Sequence, residues 1–206
     1  MTSLRSSSRV LLVAVVGALV VAGCGGAGTQ SPSPTVRPTA AATTAGAAAT
    51  PVADRTPCAP VAAGITTKTA TLELANGGVV KMALRADKAP NTVATFVAKA
   101  SSGVYNGLTF HRVVADFVVQ GGDPLGNGTG GGNQPTELND LPFCVGALGI
   151  ARGNDIKVSN DSQWFICIGV CRFLDKMYTN FGQVTSGMDI AGGIKVGDKI
   201  KSLTIQ

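Results

Sequence analysis

From residue 69 onward the chain breaks into short apolar runs that stop at glycine, asparagine or proline, and no other feature constrains its fold as tightly. Residues 69–74 (TATLEL) alternate, Asn76-Gly77-Gly78 turns the chain, and residues 79–84 (VVKMAL) resume the alternation, a β-hairpin signature. Pro90 then opens a helix, where its missing N–H removes no bond. Val93, Phe96, Val97 and Ala100 follow at helical spacing on one face, and Gly103 closes the element. Further strands are expected at 108–114, 117–120, 145–151, 163–168, 181–184 and 199–205, with a second short helix near 188–194. Many short strands and few helices predict a mainly β barrel or sandwich whose open ends are capped by the helices.

The N-terminus has a different character. Arg5 and Arg9 precede an apolar run at 10–22 with no acidic residue. A core of that length is short for a membrane span and suits the apolar region of a signal peptide. It ends in Val21-Ala22-Gly23-Cys24, which resembles a bacterial lipobox, where the cysteine sulfur takes a lipid and becomes the new terminus. The alternative is ordinary secretion with cleavage near Gly23. Residues 1–23 are therefore expected to be a lipoprotein signal peptide, with Cys24 as the lipidation site. Residues 24–64 are rich in Ala, Thr and Pro, with almost no charge and no periodicity. Such a segment cannot bury enough apolar surface to offset chain entropy and is expected to be a disordered tether, reaching roughly 35 Å. The expected location is extracytoplasmic, lipid-anchored to the bacterial cell membrane, with residues 65–206 as one folded domain.

The chain has 17 basic and 12 acidic residues; Arg5 and Arg9 leave with the signal, so 15 minus 12 gives +3. No basic run interleaves with aromatics, so nucleic acid is not an expected partner. Beyond Cys24 there are Cys58, Cys144, Cys167 and Cys171, an even number that favours disulfides outside the cytoplasm. A zinc site is disfavoured: Cys167 and Cys171 have the wrong spacing, and His111 is the only histidine. No metal and no cofactor are expected.

Chemistry concentrates in residues 110–132, FHRVVADFVVQGGDPLGNGTGGG. Gly126 to Gly131 satisfy G-x-G-x-x-G, but Gly132-Asn133-Gln134-Pro135 follow where a dinucleotide site needs a helix, and no Gly-Lys-Ser/Thr follows. A hydrolase reading fails because G-x-S-x-G is absent, and no cysteine stands in a nucleophile signature that His111 could serve.

Phe110-His111-Arg112-Val113-Val114, followed two residues later by Phe117-Val118-Val119-Gln120-Gly121-Gly122-Asp123, closely resembles the signature of the cyclophilins, peptidyl-prolyl cis/trans isomerases. Gly128-Thr129-Gly130-Gly131, Ser162-Gln163-Trp164-Phe165-Ile166, Phe173-Leu174-Asp175, Tyr178 and Phe181-Gly182-Gln183-Val184 resemble later family segments in the same order. The resemblance spans the folded domain. It implies a closed eight-stranded antiparallel β-barrel capped by two helices. It also implies Arg112 as catalytic residue and an apolar proline pocket from Phe117, Val118, Phe165 and Leu174. Gln120 would orient the arginine and the substrate. Ala151 and Arg152 would offer backbone to the peptide, and Thr129 and Gly153 would line an adjoining pocket for the residue two before proline. Phe173 and Tyr178 stand where many eukaryotic members carry tryptophan and histidine, so any cyclosporin binding is expected to be weak. His111 is read as structural support.

The disulfide expectation follows from strand pairing. If 145–151 and 163–168 pair antiparallel, Ala151 lies near Ser162 and Cys144 comes opposite Gly169, two residues from both Cys167 and Cys171. Bridged Cα atoms must lie within about 7 Å. Cys144–Cys171 with Cys58–Cys167 is favoured, and Cys144–Cys167 with Cys58–Cys171 is close behind. Two functions are weighed. One is a monomeric isomerase acting on proline-containing peptides and unfolded exported proteins; Arg112, Phe117, Gln120 and Phe165 favour it. The other is a peptide-binding or chaperone module with weak or no isomerase activity, which Arg152 and Tyr178 keep open.

Overall fold

The computed structural model describes residues 54–206. The expected signal peptide, Cys24 and the expected tether as far as residue 53 lie outside the described residues. One mixed-length antiparallel sheet dominates, with β1 (Lys68–Leu74), β2 (Val79–Leu84), β3 (Arg112–Val114), β4 (Val118–Gly121), β5 (Asn133–Pro135), β6 (Ala147–Arg152), β7 (Val158–Cys167), β8 (Asn180–Ser186) and β9 (Ile200–Ile205). The helices are α1 (Pro90–Ser101) and α2 (Met188–Gly192), and a 3-10 helix covers Arg172–Leu174.

The strand path runs β3-β4-β7-β6-β8-β2-β1-β9, with β5 added onto β7. The described sheet is thus a curled, mainly β half-barrel with two helices, where a closed eight-stranded barrel was expected. It has nine strands. The ninth, β5, is the tripeptide Asn133-Gln134-Pro135, too short to carry a period of two. The sheet's two ends meet only through irregular backbone. Thr109 forms an isolated bridge with Lys199, and the N–H of Phe110 donates to Asp198 O at 2.9 Å. The regular strand β3 begins only at Arg112, after a turn in which Gly107 takes φ 82°.

Local chemistry accounts for the elements. In the β1–β2 hairpin, Leu72 pairs with Val80 and Ala70 with Met82, all fully buried. The turn between them is closed by Asn76 Oδ1, which accepts from Gly78 N–H at 2.9 Å, while Gly77 takes φ 89°. Helix α1 has no capping side chain of its own. Instead the Glu137 carboxylate accepts from the N–H groups of Asn91 at 3.0 Å and Thr92 at 2.7 Å, satisfying two otherwise orphaned donors. Its buried face (Val93, Phe96, Ala100) packs against β7 and β9 of the sheet. There Phe96 and Phe110 meet Trp164 edge-on, each with ring centroids at 5.8 Å.

Both disulfides differ from the expected pairs. The bonds are Cys58–Cys144 and Cys167–Cys171, with Cα–Cα distances of 5.0 and 6.2 Å. Four causes are visible. The β6–β7 ladder pairs Leu148 with Ile166 and Ile150 with Trp164, one residue away from the expected register. Gly146, at φ 97°, then turns the chain, so Cys144 does not continue the ladder. Residues 168–171 are meanwhile bonded to the β3–β4 turn, Ile168 N–H to Phe117 O and Val170 N–H to Asp116 O, both at 2.8 Å, which brings Cys171 back to Cys167. Cys58 is left facing Cys144 because the N-terminal segment lies parallel to it: Pro57 bridges Val145, and Cys58 N–H donates to Val145 O at 2.9 Å. Gln183 Nε2 also donates to Ala59 O at 2.7 Å. Residues 55–59, included in the expected tether, therefore dock on the domain.

Candidate active site

Strand alternation decides what the site is made of. In β4 and β7, Val119 and Ile166 pair and point into the main core, together with Leu148, Ile150 and Trp164. Their neighbours point the other way. Val118 pairs with Cys167 and Gln120 with Phe165; Val118, Cys167 and Phe165 form a smaller apolar cluster with Phe143, Ala147, Cys171 and Leu174. Arg112 pairs with Gln120 across the β3–β4 hairpin, so it rises from the same face.

Above this cluster opens a cavity of about 220 Å³ lined by Arg112, Phe117, Val118, Gln120, Ala151, Arg152, Phe165, Leu174 and Tyr178. Nine of the residues singled out from the sequence thus come together around one concavity. Its base is buried and apolar: Val118 is 1% exposed and Phe165 4%. Phe165 stacks on Phe143 at 5.8 Å and meets Tyr178 edge-on at 6.1 Å. Gly149 stands directly opposite Phe165, where a Cβ would enter the ring.

The polar rim is organised around Arg112. Its Nη1 donates to Gln120 Oε1 at 3.2 Å, and its Cζ lies 5.7 Å from the Phe117 ring centroid. Gln120 Nε2 donates in turn to Gln163 Oε1 at 3.0 Å. Gln163 Nε2 donates to the carbonyls of Gly128 at 3.0 Å and Gly130 at 2.8 Å. The guanidinium is therefore positioned by a line of carboxamides tied to the glycine loop. The role of Gln163 is not among those the sequence resemblance implies. The signal was present: a glutamine opening the apolar run QWFIC, two residues before Phe165, shares the face of Phe165.

A second cavity, about 370 Å³, adjoins the first and shares Gln120, Ala151 and Arg152 with it. Gly153 and Gly128 line it; Thr129 does not, and instead donates its hydroxyl to Asn127 Oδ1 at 2.7 Å. Phe173 lies outside both cavities, 61% exposed and packed against Phe117 at 5.1 Å. Arg152 stacks on Tyr178 with Cζ 4.4 Å from the ring centroid. Its Nε and Nη1 donate to the carbonyls of Met177 and Gly153, both at 2.9 Å.

His111 sits behind the rim, its ring nitrogens buried and without hydrogen-bond partners. Desolvation holds its pKa below the ordinary value, against the pull of Asp123, which favours the neutral imidazole. The glycine loop is held by Asp123, fully buried, which accepts from the N–H groups of Leu125 and Asn127 at 2.9 Å and also from Gly128. Burial alone raises this carboxyl; the three N–H donors outweigh it and keep the pKa below its ordinary value.

Among the described residues no group of His, Cys, Asp and Glu side chains could hold a metal ion. An apolar cup, an oriented guanidinium and no nucleophile suit a reaction that breaks no covalent bond, and the class so defined is a conformational isomerase. The chain belongs to the cyclophilin-type peptidyl-prolyl cis-trans isomerases: residues 69–204 match the family model described as cyclophilin type peptidyl-prolyl cis-trans isomerase/CLD. Peptidyl-prolyl cis-trans isomerase B of Bacillus subtilis (strain 168) is 39% identical over 143 residues, 68% of this chain and 99% of that protein. A peptidyl-prolyl cis-trans isomerase of Synechococcus elongatus is 39% identical over 132 residues, 62% of this chain and 90% of that protein. Among solved structures, a Cryptosporidium parvum cyclophilin type isomerase superposes with TM-score 0.63 at 25% identity, covering 68% of this chain and 98% of that one. The activity of the chain is peptidyl-prolyl cis-trans isomerisation.

Proposed function

We propose that isomerisation is carried by Arg112 above the cup of Phe117, Val118, Phe165 and Leu174, which takes the proline ring. The observation that carries this reading is the line Arg112–Gln120–Gln163, which aims a permanent cation over an apolar cavity. An X–Pro bond resists rotation by about 18–20 kcal/mol because the amide has partial double-bond character. Twisting it returns a lone pair to the prolyl nitrogen. A preorganised guanidinium donor that meets this nitrogen, or the adjoining carbonyl, binds the twisted form better than either planar form. No atom is transferred.

The same Cryptosporidium parvum isomerase was also solved in the presence of the dipeptide Ala-Pro, with TM-score 0.62. A proline-containing peptide is the corresponding ligand here. Titrating Ala-Pro into labelled protein is expected to shift the Val118 and Leu174 methyl signals first. Shifts confined to residues outside the cavity contradict this placement.

We infer further that the substrates are unfolded exported proteins, met outside the cytoplasm by an enzyme anchored through a lipid on Cys24. Two disulfides support an oxidising compartment, and the Arg5/Arg9 leader with its Val-Ala-Gly-Cys end supports the anchor. Radioactive palmitate is expected to label the wild type and not Cys24→Ala; label that persists in the mutant removes the anchor. We also read the backbone bonds between 107–110 and 197–200 as completing the barrel. Slow amide exchange at Phe110 and Ile200 is the expected sign, and rapid exchange there contradicts closure.

A further inference from the structure

Arg152 is the one side chain bearing a positive charge that lines both cavities. Its placement is fixed from two sides: the guanidinium lies over the Tyr178 ring, and Nε and Nη1 donate to the carbonyls of Met177 and Gly153. Among the described residues it makes no salt bridge, whereas Arg55, Arg85 and Arg172 all do. The Nη2 amino group has no partner among the hydrogen bonds described, and beside it Gly153 faces open space. The second cavity holds one carboxylate, Asp155, and its Oδ1 is engaged with the N–H of Lys157 at 2.8 Å. The rest of that lining is neutral: Asn133, Asn154, Ser159, Asn160 and Gln163 among others.

A chain that seats its proline in the apolar cup and continues along Ala151 must pass this guanidinium to enter the second cavity. We propose that Arg152 is a specificity-determining residue that selects substrates carrying an acidic side chain two positions before proline. This rests on the reading of the first cavity as the proline site. The carboxylate would be received by the free edge of the guanidinium, whose planar fork of donors matches a carboxylate in a way an ammonium does not. Because Arg152 is half-buried and the cavity open to water, the effect is moderate and salt-sensitive.

The test uses tetrapeptides with Glu, Gln or Lys two positions before proline, their cis/trans exchange measured by NMR without a coupling protease. For the wild type at low salt, kcat/KM is expected to run Glu above Gln above Lys. Each step is about two- to fivefold, the range of a part-exposed ion pair, and the spread narrows near 0.5 M salt. The ratio of Glu to Lys peptide is the readout, since it is insensitive to a general loss of activity. It is expected to persist in Arg152→Lys at reduced size, to collapse in Arg152→Gln and to invert in Arg152→Glu. Equal rates for all three peptides in the wild type overturn the proposal while leaving the proline site standing. A ratio unchanged in Arg152→Glu assigns the preference to another residue and also overturns it. No acceleration of any peptide overturns the proline-site reading, and the proposal falls with it.

Discussion

The carboxamides of Gln120 and Gln163 face each other at 3.0 Å, so the group that receives the Arg112 guanidinium is itself held by a side chain bonded to the glycine loop. Gln163 is 4% exposed, and its removal leaves polar groups of the line without partners. Gln163→Leu is therefore expected to lower kcat/KM by roughly fivefold or more, from about 1 kcal/mol of lost positioning. Circular dichroism should remain that of the wild type. Undiminished kcat/KM in this variant means that Arg112 needs no support from the loop.

Gly149 tests the floor of the cup. A methyl group there meets the Phe165 ring, which is closed in by Phe143 and Tyr178. Gly149→Ala is expected to cost about 1–3 kcal/mol by overpacking and to push Phe165 into the cavity. Urea unfolding and peptide KM should worsen together. A stable variant with wild-type KM would show that the ring yields freely.

The disulfides differ in what they constrain. Cys58–Cys144 closes 86 residues, and Cys167–Cys171 only 4. In the chain-entropy account these loops correspond to about 4.6 and about 1.9 kcal/mol. Cys58→Ser should accordingly lower the unfolding free energy more than Cys171→Ser does. The reverse order would place the stabilisation in local packing around the 3-10 helix instead.

Asp123 gives the fold an acid dependence whose sign can be worked out. Its folded-state pKa is depressed by the three loop N–H groups despite burial. Its contribution is thus complete above the unfolded value, about 3.9, and is lost as pH falls through the folded one. Urea midpoints measured from pH 7 downward should drop below about pH 4 in the wild type. Asp123→Asn should start lower at pH 7 and fall less steeply. An acid limb equally steep in both proteins would assign it to other carboxylates.

Local pattern carried much of this structure. The hairpin β1–β2 and helix α1 follow from period and turn chemistry, whereas the grouping of Arg112, Val118, Gln120 and Phe165 comes from the resemblance to the cyclophilins and is realised by the β3–β4 and β4–β7 pairings. What escaped depends on non-local geometry. The Cys58–Cys144 bond requires a parallel docking of Pro57 on Val145, which no alternation announces. A one-residue shift in the β6–β7 register and the turn at Gly146 displaced the other pair. Thr129 and Phe173 lie beside the cavities because a loop bond and an exposed ring contact set their directions.

The central claim is that a positioned guanidinium, with no nucleophile, accelerates rotation about the prolyl bond. The most direct measurement is cis/trans exchange of a prolyl tetrapeptide with wild type and Arg112→Ala at equal concentration. The wild type is expected to accelerate exchange, and Arg112→Ala to be slower by roughly 10²–10³-fold, as when a preorganised transition-state donor is removed. Equal rates for the two proteins would contradict the account.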